Sequence, residues 1–149
     1  MLQTLKSLFA RDLQKLRREI ELYRNEEKLW VAAPGITNPA GNLCLHLVGN
    51  LNTYIGAVLG QSGYIRNREL EFWLRDVPRS ELLQKVDDTL AVVLRSLDQM
   101  TEEQLLEDYP MLVFEEKTST EYFLTHLTTH LTYHLGQINY HRRLLDSNR

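Results

Sequence analysis

The sequence predicts an all-α protein built as a four-helix bundle in a single domain over residues 1–149. Three observations carry that reading. Apolar residues recur at helical spacing through four long segments, alternating strand-like runs are nearly absent, and no stretch repeats another. Composition agrees: the hydrophobic fraction is 43% and the charged fraction 25%, as in ordinary globular domains.

The first segment places Leu2, Leu5, Leu8, Phe9, Leu13, Leu16, Ile20, Tyr23 and Trp30 on one face. Charged residues lie between them, and Pro34-Gly35 is the expected stop. Asn38 then offers an N-cap with Pro39 at the first helical position. The second helix carries Leu43, Leu47, Val48, Leu51, Tyr54, Ile55 and Val58 before "GQSG" at 60–63 ends it. The connection "YIRNRELEFWLRDVPRS" has no long period, but its aromatic residues suggest a packed loop or a short helical piece.

Pro78 and Ser80 mark the start of the third long helix, carried by Leu82, Leu83, Val86, Leu90, Val93, Leu94 and Leu97. Thr101 and Gln104 form a capping box for one short turn. "YPMLVFEEKTS" is expected to be extended, with Val113 and Phe114 in a brief strand. Thr118 and Glu121 suggest another capping box, opening a last helix that runs to about Asp146. The long second connection leaves room for a crossover.

Charge and composition exclude several classes. A net charge of −3, with acidic and basic residues interleaved, gives no general attraction to nucleic acid. No apolar run approaches the ~20 residues of a membrane span. The first residues lack the apolar core and cleavage site of a secretory signal. The single cysteine, Cys44, cannot form an internal disulfide and reads as a small buried hydrophobe. A cytoplasmic location is expected.

The distinctive feature is "HLTTHLTYHLGQINYH", which holds His126, His130, His134 and His141, four of the five histidines. Residues four apart share a helix face about 6 Å apart along the axis. His130 and His134 can therefore offer imidazole nitrogens to one divalent cation. His46, alone among apolar neighbours on the second helix, supplies a third ligand from a facing element. A histidine pair at this spacing also arises by chance, and the mid-helix His46 is what strengthens the metal reading. Three consecutive turns cannot all reach one ion, so His126 is expected outside the ligand sphere or lining a channel above it. His141, among arginines, reads as a surface or helix-contact residue. Asn50, one turn beyond His46, either orients a ligand or water or is a buried polar residue satisfied by a neighbouring helix.

The terminal stretch "HLTTHLTYHLGQINYHRRLL" resembles the last-helix signature of the DinB-like family of metal-binding bundles, in which a histidine pair ends in H-x-G-Q-I. "GNLCLHLVGNLNTYIG" is similar to that family's second-helix motif, and the likeness extends over nearly the whole chain through "VPRSELL" and "TSTEYFLTHL". The resemblance implies a four-helix bundle in up-down-down-up order, a divalent metal held by His46, His130 and His134, and frequent homodimerisation. Gly136 and Gln137 fall on the family's G-Q pair, which puts Gln137 beside the site. Leu135 stands where many members have arginine, so a role of that arginine does not transfer. Some members are thiol-dependent enzymes, which implies a low-molecular-weight thiol as co-substrate.

The chemistry expected of three neutral imidazoles is a strongly Lewis acidic ion, nickel or zinc, with open coordination. Such an ion activates water or stabilises a thiolate. The functional expectation is an S-transferase or hydrolase acting on a small molecule. The alternative is a non-catalytic metal-binding or stress-response bundle with a structural or sensing role. No protein nucleophile is evident, and no catalytic residue is assigned.

Overall fold

The computed structural model describes residues 1–147. Six α-helices, four of them long, make up the described fold, and no strand forms among these residues. They are α1 (Leu2–Leu22), α2 (Ala40–Leu51), α3 (Arg68–Trp73), α4 (Arg79–Asp98), α5 (Glu102–Leu106) and α6 (Thr120–Leu145). A π-helical turn, Asn52–Ala57, continues α2 without a break. No helix is long and apolar enough to cross a membrane among the described residues.

The predicted apolar faces meet in one core. Phe9, Leu13 and Leu16 of α1 and Leu47, Leu51 and Ile55 of α2 and its π turn are fully buried. So are Leu82 and Val93 of α4 and Leu124, Leu131 and Ile138 of α6. Each such side chain contributes roughly 1.5–3 kcal/mol of burial free energy.

Polar contacts fix how the helices run. Between α1 and α6 they advance together: Thr132 donates to Asp12, Asn139 to Glu19, and Tyr23 meets His141. Between α1 and α4 they run in opposite directions, Lys6 with Asp98 and Arg17 with Asp87. Between α2 and α6 they are again reversed, with Tyr54 on Phe123 and His46 on His130 and His134.

Several boundaries differ from the sequence expectation. The first helix stops at Leu22, not at Pro34, because Tyr23 turns extended (ψ 124°). The guanidinium of Arg79 takes up the carbonyls of Glu21 and Tyr23, and the Asp146 carboxylate accepts from the Arg24 and Asn25 amides. Arg79 thereby satisfies carbonyls that a helix C-terminus leaves open. Leu29 and Trp30 are buried from a separate 3-10 turn, Glu26–Trp30, capped by Asn25. The second helix begins at Ala40 with Pro39 as its N-cap, so Asn38 does not cap it. The last helix is capped by Ser119, whose hydroxyl accepts from the Tyr122 amide, and not by Thr118. Val113 and Phe114 form no strand; the one backbone bridge there joins Asp108 and Ser119. The Thr101–Gln104 capping box is present.

Candidate metal centre

The site is built where α2 and α6 face each other, with α3 packed on α2. Helical spacing on α6 stacks His130 and His134 one turn apart, their ring centroids 4.6 Å from each other. His46 projects from the middle of α2 between them, 5.1 Å from the His130 ring and 5.2 Å from the His134 ring. One nitrogen from each of the three imidazoles lies within 4.8 Å of the others. Ligands bound at ~2.1 Å in a tetrahedral arrangement sit roughly 3.4 Å apart, so small ring rotations suffice to hold one ion.

The outer partners of the imidazoles decide which nitrogens point inward. His46 Nδ1 donates to Glu71 Oε1 at 3.0 Å, which leaves the Nε2 lone pair facing the site. His134 Nδ1 donates to Gln137 Oε1 at 2.7 Å, with the same consequence. Such outer partners fix the tautomer and orientation of metal-binding histidines.

His46 Nε2 and His130 Nε2 face each other at 3.2 Å. With the His46 proton on Nδ1, this contact needs either a proton on His130 Nε2 or a cation between the two. His130 Nδ1 is buried and makes no hydrogen bond in either case. A divalent ion satisfies both Nε2 atoms at once, so the donor set fits a metal.

Electrostatics point the same way. Burial pushes the His130 imidazole down to about 4, with the neighbouring His134 and His46 adding to the effect. Burial likewise lowers His134, against the hydrogen bond to Gln137. Both rings are neutral near pH 7, as ligation requires.

Glu71 was not legible in the sequence, yet four features hold it in place. Burial acts to raise its carboxyl pKa, but hydrogen bonds from His46 and Arg66, and the guanidinium charge, keep it below the ordinary value. Arg66 grips both oxygens, Nε to Oε2 at 2.8 Å and Nη2 to Oε1 at 2.9 Å. The buried Asn42 amide donates to the carbonyls of Glu71 and Leu74, pinning α3 to α2. Gly49 leaves the space: a Cβ there would meet Glu71 Oε2 at 1.9 Å.

A family model described as a protein of unknown function, DUF1572, matches residues 1–149. The chain belongs to the DUF1572 family. No curated protein matches it.

In this DUF1572 chain the remaining histidines and Asn50 stand apart from the three-nitrogen group. His126 packs edge-on against Phe114, ring centroids 4.8 Å apart, one turn before His130. Asn50 is buried, and its Oδ1 has no hydrogen-bond partner among the described residues, so no neighbouring helix satisfies it. His141 is buried and not on the surface: its Nδ1 meets the Tyr23 hydroxyl at 2.6 Å and its Nε2 the Val31 carbonyl at 2.7 Å. Its helix-contact role holds. Cys44 is buried, and burial pushes its thiol up to about 12, so it is inert as a nucleophile.

Proposed function

We propose that this chain is a divalent-metal-dependent enzyme of the DinB-like kind, an S-transferase or hydrolase acting on a small molecule. His46, His130 and His134 hold one nickel or zinc ion. The observation that carries the reading is the convergence of three imidazole nitrogens, with Glu71 and Gln137 holding the outer nitrogens of His46 and His134. No fourth histidine, cysteine or acidic side chain joins the group among the described residues. A three-ligand set with an open position is the pattern of catalytic sites, whereas structural sites close the sphere.

A bound divalent ion supplies Lewis acidity, lowering the pKa of a coordinated thiol or water. The protein's own residues set the conditions for this. Neutral imidazoles add no negative charge, and the Glu71 charge is offset by Arg66, so an anionic thiolate is favoured at the open position. Glu71 and Gln137 orient two of the ligands. Asn50 offers a buried acceptor to whatever approaches along α2.

The helix directions seen in the contacts of α1 with α4 and α6, and of α2 with α6, support the up-down-down-up order of the DinB-like bundle. The chain pairs as a homodimer. Exposed apolar side chains at Leu106, Met111, Leu112 and Tyr122 support that reading.

Cobalt-loaded protein titrated with bacillithiol, glutathione and other thiols tests the function. The expected result is a sulfur-to-cobalt charge-transfer band at modest thiol concentration, absent in His46→Ala. No spectral change with any thiol, together with no hydrolysis of ester or amide probes, would leave a structural or sensing metal site instead.

A further inference from the structure

A cavity of about 470 Å³ lies between the 35–38 turn, the start of α2 and the outer side of α6. It falls within the ~300–1,000 Å³ range of small-molecule sites. Its apolar lining comes from Ile36, Leu43, Tyr133, Tyr140 and Leu144. His134 and Gln137 also line it, so it adjoins the candidate metal centre.

The composition of the wall is what sets this cavity apart. No Asp, Glu, Lys or Arg lines it. Four other cavities on the protein each carry charged side chains: Glu107 and Asp108 in one, Glu115 and Lys117 in another. Arg142 and Asp146 line a third, and Arg11 and Asp12 a fourth.

The same absence runs along α6. The twenty residues from Tyr122 to His141 contain no formally charged residue, although at the chain's charged fraction of 25% about five would be expected. Core packing does not account for it. Tyr133 is 66% exposed and Tyr140 63%, positions where charged residues are ordinarily found. A charge-free aromatic wall is suited to a ligand that brings no charge of its own, because a buried unpaired charge is costly.

We propose that this cavity binds an uncharged small molecule with an apolar, aromatic-sized body, placing it beside His134. The proposal deepens the metal-centre reading: it relies on that reading for what the bound molecule meets, but not for the binding itself. Tyr133 and Tyr140 give flat faces, Leu43 and Leu144 give apolar contact, and Gln137 remains close enough to the ligand histidine to couple the two.

The test uses 2-naphthalenemethanol, a neutral and unreactive probe, followed by NMR on metal-free and cobalt-loaded full-length protein. The expected result is saturable binding to both forms, with shifts centred on Tyr133, Tyr140 and Leu144. Probe protons should broaden only when paramagnetic cobalt is present, because the cavity adjoins the centre. Tyr140→Asp and Leu144→Asp, both at exposed positions, should weaken binding roughly tenfold or more, whereas Tyr140→Phe should retain it. If the protein takes up no metal, the metal-centre reading fails, and the shift map of the metal-free protein still decides the cavity. No binding, or shifts centred elsewhere, would overturn the proposal. So would a Tyr140→Asp variant that splits a dimer while leaving probe affinity unchanged, since the face would then be an interface between copies.

Discussion

The Nδ1 of His46 donates to the carboxylate of Glu71 across a separation of 25 residues in sequence, at 3.0 Å. That bond joins α3 to the ligand set and turns His46 Nε2 inward. Glu71→Gln keeps an acceptor but removes the charge, and the variant should stay folded with metal affinity lower by roughly 10–100-fold. Competition with a fluorescent zinc chelator measures it. Unchanged affinity would mean that His46 is oriented by packing alone.

Gly49 and Gly136 make a paired prediction. At Gly49 a methyl group would collide with Glu71, so Gly49→Ala should cost about 1–3 kcal/mol and weaken metal binding as Glu71→Gln does. At Gly136 the added Cβ meets nothing within 4 Å on a helix. Gly136→Ala should therefore raise stability by about 0.5–1 kcal/mol with metal affinity unaltered. Denaturant melts of the metal-free proteins separate the two.

The three histidines that could hold a metal, and Gln137 beside them, were readable in the sequence, whereas Glu71 was hidden, for physical reasons. His46, His130 and His134 stand on long helices, where periodicity assigns a face and scarcity of histidine draws attention. Glu71 lies in a six-residue helix too short to show a period, and a lone glutamate is ordinarily a solvated charge. The signal that was present is Gly49, three residues after His46, in a helix otherwise rich in large apolar side chains. The end of α1 misled for a related reason: Leu29 and Trp30 are buried like helix-face residues, but from a separate 3-10 turn whose backbone partners, Asp146 among them, are distant in sequence. At the start of α6, Thr118 and Ser119 are both competent caps by residue type. Only the backbone position of Ser119 lets its hydroxyl reach the Tyr122 amide.

The metal-free protein should lose stability as pH falls from 7 to 5. Unfolded histidines titrate near 6.5, while burial holds folded His130 at about 4 and lowers His134 too. Below about 6.5 the unfolded chain gains protons that the folded chain refuses, so the folded state is disfavoured on the acid side and unaffected by this pair above it. Glu71 and Asp12, whose carboxyls stay low against the opposing effect of burial through hydrogen bonds from His46, Arg66, Arg11 and Thr132, extend the loss to lower pH. Thermal melts at stepped pH check this, and His130→Gln should flatten the decline. A midpoint that holds constant from pH 7 to 5 would count against the buried neutral imidazoles.

The dimer is tested by sedimentation velocity at micromolar concentration. A species of twice the chain mass is expected. A clean monomer would remove the pairing and leave the fold and the site untouched.

The central claim is that His46, His130 and His134 hold a metal ion. Elemental analysis of protein prepared without a histidine tag tests it most directly. About one nickel or zinc ion per chain is expected in the unaltered protein, and its loss in His130→Ala/His134→Ala with helical content retained by circular dichroism. Metal kept undiminished in the double variant, or none in the unaltered protein after incubation with either ion, would contradict it.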